Sequence, residues 1–248
     1  MFEITALPAL RDNYIWAIHN KTGAYVVDPG EAWPVLRFLN ERGLPLLGIL
    51  CTHRHHDHTD GIEELRGVYN VPVYGRSHPK NPHITSDLRE GDQLELEEMG
   101  LRFDIMELPG HLEDHIVYAG PGMVFCGDVM FGAGCGRNFE GTPAQLLSSL
   151  KRLAALPDET LVYCAHEYAV YTLPFAQACE PDNPDIQRRI AKSRAKLEQG
   201  LPTVPSTIAE EKATNPYLRC TEPALIRKLQ SEGLTDASEL AVFTALTR

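Results

Sequence analysis

The densest chemistry in the chain lies in Thr52-His53-Arg54-His55-His56-Asp57-His58, a polar stretch that follows directly on the apolar run Leu46 to Leu50 and Cys51. On an extended segment, residues two apart point the same way, so His53 and His55 converge on one ion. Where the chain then turns, Asp57 and His58 face a second ion close by. Imidazole and carboxylate donors suit zinc, iron or manganese. With no cysteine among these donors, the pattern favours a catalytic site with an open position over a closed structural one.

Three further segments each bring a ligand-type residue to the end of an apolar, strand-like run: His111 after Pro109-Gly110, Asp128 after Cys126-Gly127, and His166 after Cys164-Ala165. Taken singly, a histidine after Pro-Gly reads as a turn residue and an aspartate after glycine as a cap. Beside the H-x-H-x-D-H core they complete a candidate set of His53, His55, Asp57, His58, His111, Asp128 and His166. Two divalent cations set against Asp57, Asp128 and one hydroxide leave a formal charge of about +1, which stabilises both the hydroxide and a developing oxyanion. That is the chemistry of hydrolysis without a protein nucleophile.

The elements that must hold these donors follow from periodicity. Ile4 to Leu10, Tyr14 to Ile18 and Tyr25 to Val27 read as strands, the last closing on Asp28-Pro29-Gly30. Val35, Leu36 and Leu39 mark a helix over 33–42, and Leu46 to Leu50 is the next strand, so the histidine cluster sits at a strand-to-helix turn of a β/α repeat. After it, Asp60 with Glu63 has the form of a capping box ahead of Ile62, Leu65 and Tyr69 on one helical face. Residues 92–131 return to strands, with a hairpin around Gly120-Pro121-Gly122. Thr142-Pro143 opens a helix with the stripe Leu146, Leu147, Leu150 and Leu153, and Leu161 to Cys164 is the last strand. From about Tyr171 onward the character becomes helical with Asn-Pro and Gly-Leu-Pro breaks, which sets expected domains of 1–170 and 171–248.

Bulk properties exclude several function classes. A chain of 248 residues, 43% hydrophobic, is long enough to bury a sizeable core. Its six cysteines form no C-x-x-C pair, and reduced thiols are expected. A formal charge of −11 without any Lys/Arg-rich run makes nucleic acid a poor partner. No stretch reaches the roughly 20 apolar residues that span a bilayer, and the start lacks a basic segment followed by an apolar run. The expectation is a cytoplasmic monomer without a membrane partner.

The pattern His53-Arg54-His55-His56-Asp57-His58, with His111, Asp128 and His166 downstream, resembles the signature and later ligands of the metallo-β-lactamase superfamily. The resemblance implies an α/β fold, an αββα metallo-β-lactamase sandwich with a C-terminal α-helical domain. It implies two divalent metal ions per chain, zinc first, with iron or manganese as alternatives. His53, His55 and His111 would hold one ion and Asp57, His58 and His166 the other, with Asp128 bridging. Gly134-Cys135-Gly136-Arg137-Asn138-Phe139-Glu140-Gly141-Thr142, Cys164-Ala165-His166-Glu167-Tyr168 and Asn215-Pro216-Tyr217-Leu218-Arg219 are similar to segments that mark the glyoxalase II group within it. That narrower resemblance implies hydrolysis of S-(2-hydroxyacyl)glutathione, such as S-D-lactoylglutathione, to glutathione and D-lactate in methylglyoxal detoxification. A bridging hydroxide would attack the thioester, with Asp57 orienting it. The alternatives are a mononuclear iron enzyme resembling persulfide dioxygenases, or another hydrolase of the same fold.

By the same resemblance Arg137, Tyr168 and Arg248 are the candidate contacts to the small-molecule glutathione thioester, with Arg248 a minor one. Phe139 stands where some relatives carry a tyrosine, and Asp114 where they carry glycine. His56 points away from its ligand neighbours, as packing or outer support. His115 is a candidate for orienting a ligand, and Asp28 reads first as a turn residue and second as a support for a histidine. His19, His78 and His83 read as surface or loop histidines without a role.

Overall fold

The computed structural model describes residues 1–247. Two compact units emerge, one of Met1–Glu107 with Asp114–Gly127, the other of Leu108–Glu113 with the residues from Asp128 onward.

In the first unit, β1 (Glu3–Ala9), β2 (Asn13–His19), β3 (Ala24–Val27), β4 (Leu46–Leu50), β5 (Val73–Gly75) and β6 (Ser86–Asp87) form one sheet in sequence order. The first three strands pair antiparallel, and from β3 to β6 the pairing is parallel. Inner parallel strands are covered on both faces and therefore run apolar without alternation; β3 is wholly buried and β4 nearly so. The helices α1 (Ala32–Arg42), α2 (His56–Thr59) and α3 (Ile62–Val68) follow strands of this sheet. Val35, Phe38, Leu39, Ile62 and Leu65 join Val26, Ile49 and Val73 in one core. A second antiparallel set comprises β7 (Gln93–Leu96), β8 (Leu101–Glu107), β9 (Ile116–Gly120) and β10 (Met123–Gly127).

The second unit contains the short hairpin β11 (Met130–Phe131) with β12 (Gly134–Cys135), and the antiparallel pair β13 (Leu161–Cys164) with β14 (Ser206–Thr207). Its helices are α4 (Pro143–Ala154), α5 (Ala169–Cys179), α6 (Pro184–Glu198), α7 (Ile208–Thr214), α8 (Pro223–Ser231) and α9 (Glu239–Leu246). Thr142 caps α4 in a full capping box, its side chain accepting from Gln145 N while Gln145 accepts from Thr142 N. The expected box at Asp60 and Glu63 does not form. Asp60 ends the single-turn α2, its carboxylate 3.0 Å from His56 Nδ1, and α3 starts after Gly61 without a side-chain cap.

His19 corrects another expectation, since it is buried in β2 and not a surface residue. Its Nε2 lies 2.9 Å from Thr5 Oγ1 and its ring meets Phe38 edge-on at 5.0 Å. Burial, and then the Arg42 charge, lower its pKa from the ordinary 6.5. A lowered folded-state pKa means that the unfolded chain binds the proton more readily, so this contribution to stability is full above 6.5 and is lost as pH falls through that value. Urea midpoints between pH 7.5 and 5.5 should therefore fall, and more steeply in the parent than in His19→Gln. Equal slopes in the two proteins would remove His19 as a source of acid sensitivity.

Candidate metal centre

Four of the sequence-predicted donors gather in the first unit at the end of β4. The chain leaves the sheet at Cys51, extends through His53 and His55, and enters the one-turn helix α2 with Asp57 and His58 on it. His53 Nε2 is 3.1 Å from His55 Nδ1, and His58 Nε2 is 3.4 Å from Asp57 Oδ2. Asp28 stands behind them. Its Oδ1 accepts from Thr52 N at 2.7 Å, and its Oδ2 accepts from Thr52 Oγ1 at 2.7 Å and from His58 Nδ1 at 3.1 Å. Donor atoms of Asp28, His53 and His58 all lie within 4.8 Å of one another. Asp28 takes up a left-handed backbone, φ 52°, which a short polar side chain tolerates and which here aims the carboxylate at two partners. Gly30 is needed for close approach, because a Cβ there would sit 1.8 Å from the Asp57 carbonyl oxygen. The Asn13 amide donates to that same carbonyl at 3.2 Å and to Asp57 Oδ2 at 3.1 Å, which fixes the carboxylate.

The other three donors gather in the second unit. Asp128 presents Oδ2 to His111 Nε2 at 3.6 Å and Oδ1 to His166 Nε2 at 3.4 Å. His111 Nδ1 is 2.9 Å from the Arg137 carbonyl. A Cβ on Gly136 would lie 2.0 Å from the Asp128 carbonyl oxygen and 2.9 Å from His111 Nδ1, so only glycine lets the segment after the hairpin pass this close. The Tyr168 ring stacks on His166 at 4.7 Å and 12° between planes, and Phe131 meets His166 edge-on at 5.6 Å.

These hydrogen bonds decide the tautomers, and with them the fit to a cation. The Arg137 carbonyl only accepts, so His111 Nδ1 donates and the neutral ring keeps its lone pair on Nε2, facing a carboxylate. The Asp28 carboxylate likewise accepts from His58 Nδ1–H, which leaves the lone pair on His58 Nε2, facing Asp57. Thr52 Oγ1 donates to Asp28 and so accepts from His53 Nδ1 at 3.0 Å, which leaves the His53 lone pair on Nε2. Imidazole lone pairs turned toward carboxylate oxygens repel unless a cation lies between them. Second nitrogens held by a carboxylate, a hydroxyl and a carbonyl are the outer support that metal-bound histidines carry. The donor set therefore fits divalent metal.

Asp28 is a support for a histidine and not only a turn residue. His115 is buried with its ring stacked on His53 at 4.7 Å and 19°, whereas the His56 side chain is 92% exposed and supports nothing in the cluster. Sequence reasoning passed over Asn13 and Thr52. Thr52 had a signal, its place next to His53, but Asn13 lies 44 positions from its partner and has none. Arg137 is exposed and lines a cleft of about 790 Å³ with Phe139, Tyr217, Leu246 and Thr247; Phe139 is 61% exposed and meets the His111 ring edge-on at 5.2 Å. Arg248 lies outside the described residues. The buried Cys164, whose thiol burial pushes up to about 12, and Cys51, raised further for the same reason, are poor thiolate nucleophiles.

Comparison with known proteins covers both parts of the chain. Residues 9–166 match the family described as the metallo-beta-lactamase superfamily, and residues 167–248 match the one described as hydroxyacylglutathione hydrolase C-terminus. A hydroxyacylglutathione hydrolase of Nitrosomonas eutropha is 47% identical over 247 residues, covering 99% of this chain and 97% of the relative. Among solved structures, ETHE1 from Myxococcus xanthus aligns with TM-score 0.67 at 26% identity, over all of this chain and 98% of that one. TTHA1623 in a di-iron-bound form aligns with TM-score 0.56 at 29% identity, over 70% of this chain and 99% of that one.

Proposed function

Because this chain belongs to the hydroxyacylglutathione hydrolases, with the metallo-β-lactamase fold followed by a helical C-terminal region, we propose that it hydrolyses S-(2-hydroxyacyl)glutathione to glutathione and a 2-hydroxy acid. The observation that carries the reading is that His58 and His111 have their second nitrogens held by Asp28 and the Arg137 carbonyl while their lone pairs face Asp57 and Asp128. His53, His55 and His111 are assigned to one ion, Asp57, His58 and His166 to a second, and Asp128 to both. Zinc is the first candidate, and the related TTHA1623 is described in a di-iron-bound form. A bound divalent metal supplies Lewis acidity toward the thioester carbonyl and lowers the pKa of water.

The chain's own residues do the rest. Asp57, steadied by Asn13, orients the attacking water, and Asp128 offsets metal charge with one oxygen toward each of two histidines. Attack breaks the C–S bond and releases a thiolate, a stable enough leaving group to need no strong general acid. Tyr168, stacked on His166, and Arg137 in its cleft are assigned to the substrate, Arg137 to a glutathione carboxylate. The division at 170/171 separates the donor-bearing part from the helices assigned to glutathione. Among the described residues no helix is long and apolar enough to cross a membrane, and we assign the enzyme to the cytoplasm as a monomer.

The test pairs metal analysis of the purified protein with the loss of thioester absorbance from S-D-lactoylglutathione. Arg137→Ala should raise KM about tenfold, a loss of about 1.4 kcal/mol, and spare a small neutral thioester. Oxygen uptake with glutathione persulfide, without thioester hydrolysis, would replace this reading by a dioxygenase.

A further inference from the structure

We propose that the buried Arg54–Asp114 ion pair balances charge for the metal centre, Asp114 offsetting a cation that would otherwise repel a divalent ion held by the neighbouring histidines. The proposal rests on the metal-hydrolase reading above. Arg54 lies between His53 and His55 in the chain, and its guanidinium donates to the Asp114 carboxylate. Their side chains are 7% and 11% exposed, so both charges are nearly out of water. Asp114 directly precedes His115, whose ring stacks on His53, and Ile116 N donates to the Thr52 carbonyl at 2.9 Å. The pair thus ties the segment bearing His53 and His55 to the segment bearing His115, all within the first unit.

Such a tie could be purely mechanical, and field strength decides otherwise. Consecutive Cα atoms are about 3.8 Å apart, so even with side chains on opposite faces the Arg54 charge stays within roughly 17 Å of an ion held by its neighbours. At an effective permittivity of about 20, a unit charge at that range alters divalent binding by well over tenfold. Removal of Asp114 deletes a countercharge to Arg54, whereas removal of Arg54 leaves an extra anion near the site. A mechanical tie loses the same thing in both cases; a charge balance moves affinity in opposite directions.

The experiment measures zinc affinity of the full chain by competition with a chromophoric chelator, alongside the thermal midpoint of the zinc-stripped protein. Asp114→Asn and Arg54→Gln should both lower the midpoint. Asp114→Asn should weaken zinc at least tenfold, and Arg54→Gln should tighten it at least threefold. The double variant should return to within threefold of the parent, and Asp114→Glu should keep parental affinity. Should Asp114→Asn fail to fold, Arg54→Gln and the double variant decide alone. Weaker or unchanged zinc binding in Arg54→Gln, or equal weakening in both single variants, overturns the charge balance. A parent chain that binds no zinc, iron or manganese instead overturns the metal reading itself, so the two failures are distinct.

Discussion

Asp128→Ala is expected to lower turnover at least about 10³-fold, a loss of about 4 kcal/mol of transition-state stabilisation, and to leave no more than one firmly held metal per chain. Asp128 offers its two oxygens to different histidines, His111 at 3.6 Å and His166 at 3.4 Å. No other residue in the second unit's donor group spans both. On the proposed assignment its removal deletes a negative charge that offsets metal charge and a ligand shared by the two ions, so affinity and catalysis should fall together. Asp128→Asn, which keeps the shape and loses the charge, should be intermediate. Metal analysis after desalting and initial rates with S-D-lactoylglutathione check both halves. A variant with full metal content and full turnover would take Asp128 out of the centre.

The legible parts of this protein are those whose partners lie close in sequence. His53, His55, Asp57 and His58 stand out because strand and helix periods alone place them on one turn, and β4 ahead of them is apolar for the reason any doubly covered strand is. Thr142 and Gln145 declare a capping box three residues apart, and the box is there. The same local rule fails at Asp60 and Glu63, where the one-turn helix claims Asp60 first and His56 competes for its carboxylate. Long-range pairings leave no local trace. His19 looked like a surface residue because Thr5 and Phe38, which bury it, are remote in sequence. Asn13 is paired with Asp57 across 44 positions, and the Arg54–Asp114 pair spans 60. Hence the ligand types were readable, and what aims them was not.

Glu211 is the strongest instance of such hidden support, and Glu211→Gln should cost about 3–5 kcal/mol of stability, as breaking a buried ion pair does. Its side chain has no exposed surface. The carboxylate accepts from Arg189 at 2.5 Å, Ser206 Oγ at 2.6 Å, Asn215 Nδ2 at 3.0 Å and the Ala133 amide at 2.9 Å. Burial would lower the Arg189 pKa, but the adjacent Glu211 charge outweighs it and raises the value, so the guanidinium stays charged. Ala133 sits at φ 55°, in the left-handed region that disfavours a side chain, at the turn between β11 and β12. Asn215 also donates to the Gly134 carbonyl at 2.9 Å, and Thr172 to the Gly132 carbonyl at 2.6 Å, so α5 and the end of α7 clamp the same turn. That hairpin joins Asp128 on one side to Gly136 and Arg137 on the other, which is how remote helical residues reach the donor group. At about 2–4 °C per kcal/mol for a chain of this size, the thermal midpoint should drop by roughly 10 °C. Metal should also leave the still-folded variant faster under chelator, because the Ala133 turn loses an anchor. A midpoint shift below about 2 °C, less than 1 kcal/mol, would show that the remaining bonds hold the hairpin without the charge and that Glu211 is dispensable to it.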